Sequence, residues 1–228
     1  MTETRDYARE LYPFLYAPAT GTAAGREALH ASVRSSTLAK CADVIALRNE
    51  LLVEYSAQLD DAARELARRF GSGGTLLAFG NGGSATDADD AAADCLSPPL
   101  AGWRKLPGIS LPSDSATMSA LCNDVGLDAV FARQVAGLGR AGDIALGFST
   151  SGNSGNVVAA FGEARKRGML CVALLGYDGG AIARSGAVDY CFVARREFVP
   201  RIQEGHATLW HALLELVHVH LADARSAR

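Results

Sequence analysis

No stretch of this 228-residue chain reaches the roughly 18 to 20 consecutive apolar residues that a bilayer-spanning helix needs. The opening "MTETRDYARE" has mixed charge instead of a basic start leading into an apolar signal segment, so a membrane span and a secretory leader are both set aside and a cytoplasmic protein is expected. Basic clusters are missing too. Lys and Arg are scattered, and the net charge of -3 gives no footprint for nucleic acid. Cysteine pairs are absent: the five thiols (Cys41, Cys95, Cys122, Cys171, Cys191) are odd in number and far apart, and no CxxC occurs. They read as small thiols in apolar segments of a protein kept reduced, not as a disulfide framework or a thiolate metal site. No internal repeat and no low-complexity tract is found.

What is present is length and apolar content for one substantial core. Before residue 75 the pattern is helical: "ARELYPFLY", a Pro/Gly/Thr break at "APATGTAAG", then a long amphipathic run in which Leu47, Leu51, Leu59, Ala63, Leu66 and Phe70 keep three-and-four spacing. The glycines from Gly71 to Gly74 end it. Short apolar runs then alternate with helical segments: "TLLAF", "GISL", "DIALGFS", "LCVALL" and "VDYCFV". That alternation predicts a parallel sheet, closed by a last helix over about 201–223. The expected architecture is α/β with three layers, comprising a helical N-terminal arm over 1–38 and one domain over 39–228.

Between the first strand and the next helix lies "FGNGGSATDADDAAADCL". Gly80, Gly82 and Gly83 let the backbone bend sharply where a helix start presents unpaired amides, and Ser84 adds a hydroxyl, so an anion such as phosphate suits the turn. Three rivals compete. Gly80 to Ala85 also fits the dinucleotide pattern GxGxxA, with Asp114 as a ribose ligand; a glycine turn without ligand is possible; and a P-loop is disfavoured because no Gly-Lys-Ser/Thr ending follows.

A second strand-to-helix turn, "GFSTSGNSGNVVAAF", weighs against the dinucleotide reading, which needs no such loop. Ser149, Thr150, Ser151, Asn153 and Ser154 gather hydroxyl and amide donors that can saturate a phosphate monoester without fixed positive charge. A plain N-cap would account for Ser154 alone.

"GNGGSA" and "STSGNSGN" at this separation resemble the sugar isomerase (SIS) domain, and "CNDVG", "ALLGYDGG" and "RIQEGHATLWHAL" narrow the resemblance to the phosphoheptose isomerase group, over about residues 40 to 222. The resemblance implies a five-stranded parallel sheet between helices and a homotetramer with active sites at subunit interfaces. It also implies conversion of sedoheptulose 7-phosphate to a heptose 7-phosphate. By the same resemblance Asn81, Gly82, Gly83, Ser84, Ser149, Thr150, Ser151 and Ser154 hold the sugar phosphate, with Asp124 near the sugar chain.

Aldose–ketose interconversion needs a base that moves a proton between C1 and C2, and an acid or metal that stabilises the enediolate oxygens. The group places a His and, four residues on, a Glu after the first loop, with a Gln and, eight residues on, a His on the last helix; these bind zinc, and the Glu and last His are the acid/base pair. Here those positions hold Asp90, Asp94, Gln203 and His211. Asp94 and His211 are thus the expected catalytic pair, with Gln203 also near the substrate. Asp90, Asp94, Gln203 and His211 form the expected set for a divalent metal, zinc by resemblance and a harder ion by their chemistry. Asp87 and Asp89 are expected only to favour the positive helix start in water. His206 is a candidate site residue, while His218 and His220 are expected near a frayed helix end. Because both His and Glu are replaced, a non-catalytic SIS module that senses a sugar phosphate or serves as a tetrameric adaptor is the alternative.

Overall fold

The computed structural model describes residues 23–226; the "ARELYPFLY" segment and most of the break after it lie outside the described residues. Helix α1 (Ala23–Gly71) is followed by strand β1 (Leu76–Phe79) and helix α2 (Gly83–Leu96). After β2 (Gly108–Ser110) come α3 (Ser115–Val125) and α4 (Val130–Leu138), joined by a short 3-10 turn. The chain then alternates: β3 (Ile144–Ser149), α5 (Gly155–Lys166), β4 (Leu170–Gly176), the short α6 (Gly180–Arg184), β5 (Tyr190–Ala194) and α7 (Val199–Ser226). All five expected strands and the long last helix are found. Pro200 sits in the first turn of α7, where its missing N–H costs nothing.

Two compact units divide the chain, one ending at Glu50 and one running from Leu51 to Arg228. The second holds the sheet, whose five strands pair in the order β2-β1-β3-β4-β5, each neighbour parallel. The order reverses between β1 and β3, so the loops after those two strands leave the sheet side by side in opposite directions. That crevice is where open α/β sheets hold ligands.

Every residue of β1, β3 and β4 is buried, as expected of strands covered on both faces. On one face Leu77, Phe79, Ala145, Cys171, Ala173 and Leu175 pack with Phe131 of α4, Phe161 of α5 and Ile182 of α6. Phe79 sits between Phe131 and Phe161 at ring distances of 5.8 and 5.2 Å. On the other face Tyr55 of α1 meets Phe192 edge-on at 5.4 Å and accepts the Val193 amide at its hydroxyl, and Phe148 lies beside His206 of α7. The alternation of strand side chains thus separates two helical layers, and the three-layer expectation holds. The predicted stripe on α1 is buried at all six positions, Leu47 through Phe70. At the opposite end of the sheet from the loops, Asp143 accepts the Thr75 and Arg140 amides at 2.8 and 2.9 Å, pinning the starts of β1 and β3 together.

Thiol placement follows the apolar segments only in part. Cys95 and Cys171 are buried, and burial pushes each thiol up to about 12; Cys191 is raised for the same reason. Cys41 is exposed, since its helix face carries no core stripe.

Candidate active site

The first loop turns at Gly82, whose φ of +57° and ψ of -123° lie in backbone space that a side chain disfavours. The turn is closed by Ser84 and Ala85 amides on the Asn81 and Gly82 carbonyls, at 3.0 and 2.9 Å. No side chain caps the start of α2, so its amide end is left to another acceptor.

The second loop is built in the same manner. Ser154 stands at the N-cap position of α5, yet its hydroxyl goes to Ser149 Oγ at 3.1 Å instead of to the helix amides. Ser149 Oγ also accepts the Gly152 amide, and Ser151 Oγ accepts the Asn153 amide. Gly152, at φ +64°, lies against the Gly179 turn, and its carbonyl accepts the Ile182 amide, so the loop leans on α6. Thr150 is half-buried at the end of β3. Two uncapped helix starts thus follow the two strands that flank the switch point, with the Ser149, Ser151 and Ser154 hydroxyls in the second loop.

One residue that sequence reasoning passed over joins the two loops. Asn156, buried on α5, exchanges both amide hydrogen bonds with Asn81, at 2.8 and 2.9 Å. Asn81 is therefore a strut between the loops as well as a loop residue.

Helices α2 and α7 run alongside each other, and three contacts give their register. Near the loop, Gln203 fills the space over Gly83: a Cβ there would sit 1.9 Å from Gln203 Nε2. One turn on, Asp87 Oδ2 lies 3.7 Å from His206 Nδ1. Further along, Asp94 Oδ2 lies 3.7 Å from His211 Nε2 and accepts the Trp210 indole N–H at 3.0 Å. Asp94 and His211, expected as a pair, are brought together. At 3.7 Å they stand close without a direct hydrogen bond. His211 is mostly exposed and Asp94 partly so, which leaves the pair open to a ligand.

Several expectations are corrected. Asp87 is no solvated helix ornament: its Oδ2 is buried against His206, itself fully buried, and among the described residues neither that oxygen nor either ring nitrogen of His206 has a hydrogen-bond partner. Asp89 accepts the hydroxyls of Ser110 and Ser113, because the first turns of α2 pack on the end of β2. His218 is buried well inside α7, with its ring nitrogens at the Leu214 and Arg104 carbonyls and its face stacked on Trp103 at 4.2 Å. His220 reaches Asp60 at 2.9 Å. The last helix is held by its histidines, not frayed at them. Asp114 caps α3, accepting the Ala116 and Thr117 amides and the Thr117 hydroxyl, and those bonds hold its carboxyl below the usual range. It is spent as a cap, which removes the ribose ligand of the dinucleotide reading.

Asp124 is exposed at the end of α3, where its carboxylate accepts from Asn123. The four positions assigned to a metal do not fit one as they are arranged. Asp90 is exposed, one Asp94 oxygen is engaged by the indole, and Gln203 turns its amide nitrogen toward Gly83. Among the described residues no three His, Cys, Asp or Glu side chains gather around a common point. No helix among them is long and apolar enough to cross a membrane.

Known proteins place this arrangement. A family profile described as the SIS domain matches residues 41–176. The chain is 48% identical over 157 residues to a phosphoheptose isomerase from Pelobacter propionicus, covering 69% of this chain and 82% of that protein. It is 39% identical over 184 residues to another from Thermodesulfovibrio yellowstonii, covering 81% and 90%. In three dimensions it superimposes on the phosphoheptose isomerase of Neisseria gonorrhoeae with a TM-score of 0.74 and 34% identity, covering 81% of this chain and 98% of that one. The Francisella tularensis enzyme gives 0.68 and 30%, covering 80% and 98%. With its paired loops at the switch point and a carboxylate–imidazole pair further along α2 and α7, the chain belongs to the phosphoheptose isomerase group of the SIS domain family.

Proposed function

We propose that the protein interconverts an aldose and a ketose of a long-chain sugar phosphate, sedoheptulose 7-phosphate to D-glycero-D-manno-heptose 7-phosphate or a close analogue. The observation that carries the reading is the approach of Asp94 and His211 from two helices, 3.7 Å apart and open to a ligand. In this reading the loop hydroxyls and the uncapped starts of α2 and α5 hold the phosphate. Asp94 removes the proton from C1 or C2 and returns it to the other carbon. His211 passes a proton between the two oxygens, so that charge on the enediolate never stands alone. Gln203, beside the first loop, and Asp124 contact the sugar chain. No step is routed through a metal, because Asp90, Asp94, Gln203 and His211 are not arranged to bind one.

The proposal includes a homotetramer with sites shared between subunits. Asp94 lies about 15 Å along α2 from Ser84 at 1.5 Å per residue, so the loops and the acid/base pair of one chain are well separated. Leu38, Ile45 and Leu52 stand exposed on α1 at seven-residue spacing, apolar surface suited to another copy. A reducing, cytoplasmic setting fits the five free thiols.

A module that only binds a sugar phosphate would need the loops but not the Asp94–His211 contact, which is why catalysis is favoured. Exchange with D2O of a C1 proton of sedoheptulose 7-phosphate, or of the C2 proton of the aldose product, tests it. Exchange is expected, falling by about 10² to 10⁴ in Asp94→Asn. Binding without exchange in the unaltered protein would overturn the isomerase reading.

A further inference from the structure

Trp210 is 4% exposed, and its indole N–H donates across the α2–α7 contact to Asp94 Oδ2 at 3.0 Å. The next residue, His211, approaches the same oxygen at 3.7 Å and is 64% exposed. Successive residues on a helix point about 100° apart, so α7 presents two groups that straddle one carboxylate. The indole meets it from the protein interior and the imidazole from the open side. An indole N–H only donates, so this bond requires a lone pair of Asp94, and a buried ring cannot follow a carboxylate that rotates away.

Resting on the isomerase reading above, we propose that Trp210 is a positioning residue for the catalytic base. It clamps Asp94 Oδ2 at a fixed place beside His211 and leaves Oδ1 to meet the substrate carbon. An aspartate is one methylene shorter than a glutamate and reaches less far, so its productive position tolerates little drift. A tie to a rigid, buried group on the neighbouring helix supplies that restraint without a metal. Trp210 touches no substrate in this account and acts only through Asp94.

Two measurements test the clamp. In Trp210→Phe, which keeps an aromatic ring and loses the N–H, kcat for exchange of the C1 proton of sedoheptulose 7-phosphate is expected to fall about ten- to a hundredfold, the scale of a base displaced by up to 1 Å. KM should change little, because the loops that hold the phosphate are about 15 Å away along α2. The chain has only two tryptophans, so a ¹⁵N-labelled sample gives two indole signals, and Trp103→Phe identifies the one from Trp210. That signal should move markedly in Asp94→Asn. An unchanged kcat in a Trp210→Phe protein whose parent exchanges protons would overturn the clamp alone. If Trp210→Phe does not fold, an indole signal indifferent to Asp94→Asn would overturn it equally. A parent protein that exchanges no proton removes the isomerase reading, and the proposal with it.

Discussion

Asn81 and Asn156 hold each other by two amide hydrogen bonds of 2.8 and 2.9 Å, joining the loop after β1 to the helix after β3. The relationship is reciprocal in bonding and unequal in burial. Asn156 is 3% exposed, whereas Asn81 is exposed. Water can replace the partner of one and not of the other.

Removing Asn81 is therefore predicted to cost more than its surface position suggests. Asn81→Ala strands the buried amide of Asn156, a loss of about 1 to 3 kcal/mol. It also frees the two loops to move apart. Urea denaturation should show the stability loss, and titration with sugar phosphate should show weakened binding at unchanged stoichiometry.

The two loops predict opposite responses to an added methyl group. At Gly83 a Cβ would meet the end of the Gln203 side chain, which can swing aside, so Gly83→Ala should fold normally and displace Gln203. At Gly152 the methyl would meet the Gly179 carbonyl at 2.2 Å, from a φ of +64°. The Gly180 amide nitrogen would stand at 2.8 Å, so every obstacle is backbone and the loop itself must shift. Gly152→Ala is expected to lower the melting temperature clearly and to abolish phosphate binding, and calorimetry beside a binding titration separates the two variants.

The five strands were legible because each run is short, apolar and bounded by turn residues, and because the three central strands, covered on both faces, tolerate nothing else. The loops were legible for a similar reason: glycines and hydroxyls have few other causes at the ends of buried strands. Pairing across helices was not. Asp87 looked like a helix-start charge because its partner, His206, is 119 residues away, and no local pattern records that α2 and α7 pack in that register. Asn156 was hidden likewise, as one more polar residue after a serine-rich turn. His218 seemed close to a chain end, yet it stacks on Trp103, a residue on an irregular segment with no periodicity to reveal it.

The donor arrangement predicts how the protein responds to a chelator. With one Asp94 oxygen held by the Trp210 indole and Asp90 exposed, proton exchange should persist after dialysis against EDTA. Metal analysis of protein purified without chelator should find well under one ion per chain. A stoichiometric ion lost on Asp94→Ala would reverse this expectation.

Acid should weaken α1 through one carboxylate. The Arg68 guanidinium bonded to Glu65, with Arg69 adding to it, holds that carboxyl at about 2, below its ordinary 4.5. In the unfolded chain the group binds its proton near the ordinary value, so the folded form is favoured fully only above about 4.5. As the pH falls from there toward 2, the unfolded state takes up the proton first and the stabilisation drains away. Arg68 is 60% exposed, and solvent screening keeps the effect below about 1 kcal/mol. Glu65→Gln should therefore lower the melting temperature slightly at pH 7, and the gap to the unaltered protein should close between pH 4.5 and 2. Salt should narrow the gap at pH 7 as well, since it screens a pair so open to water. A gap that stayed constant across that range would mean that Glu65 acts through its packing and not its charge.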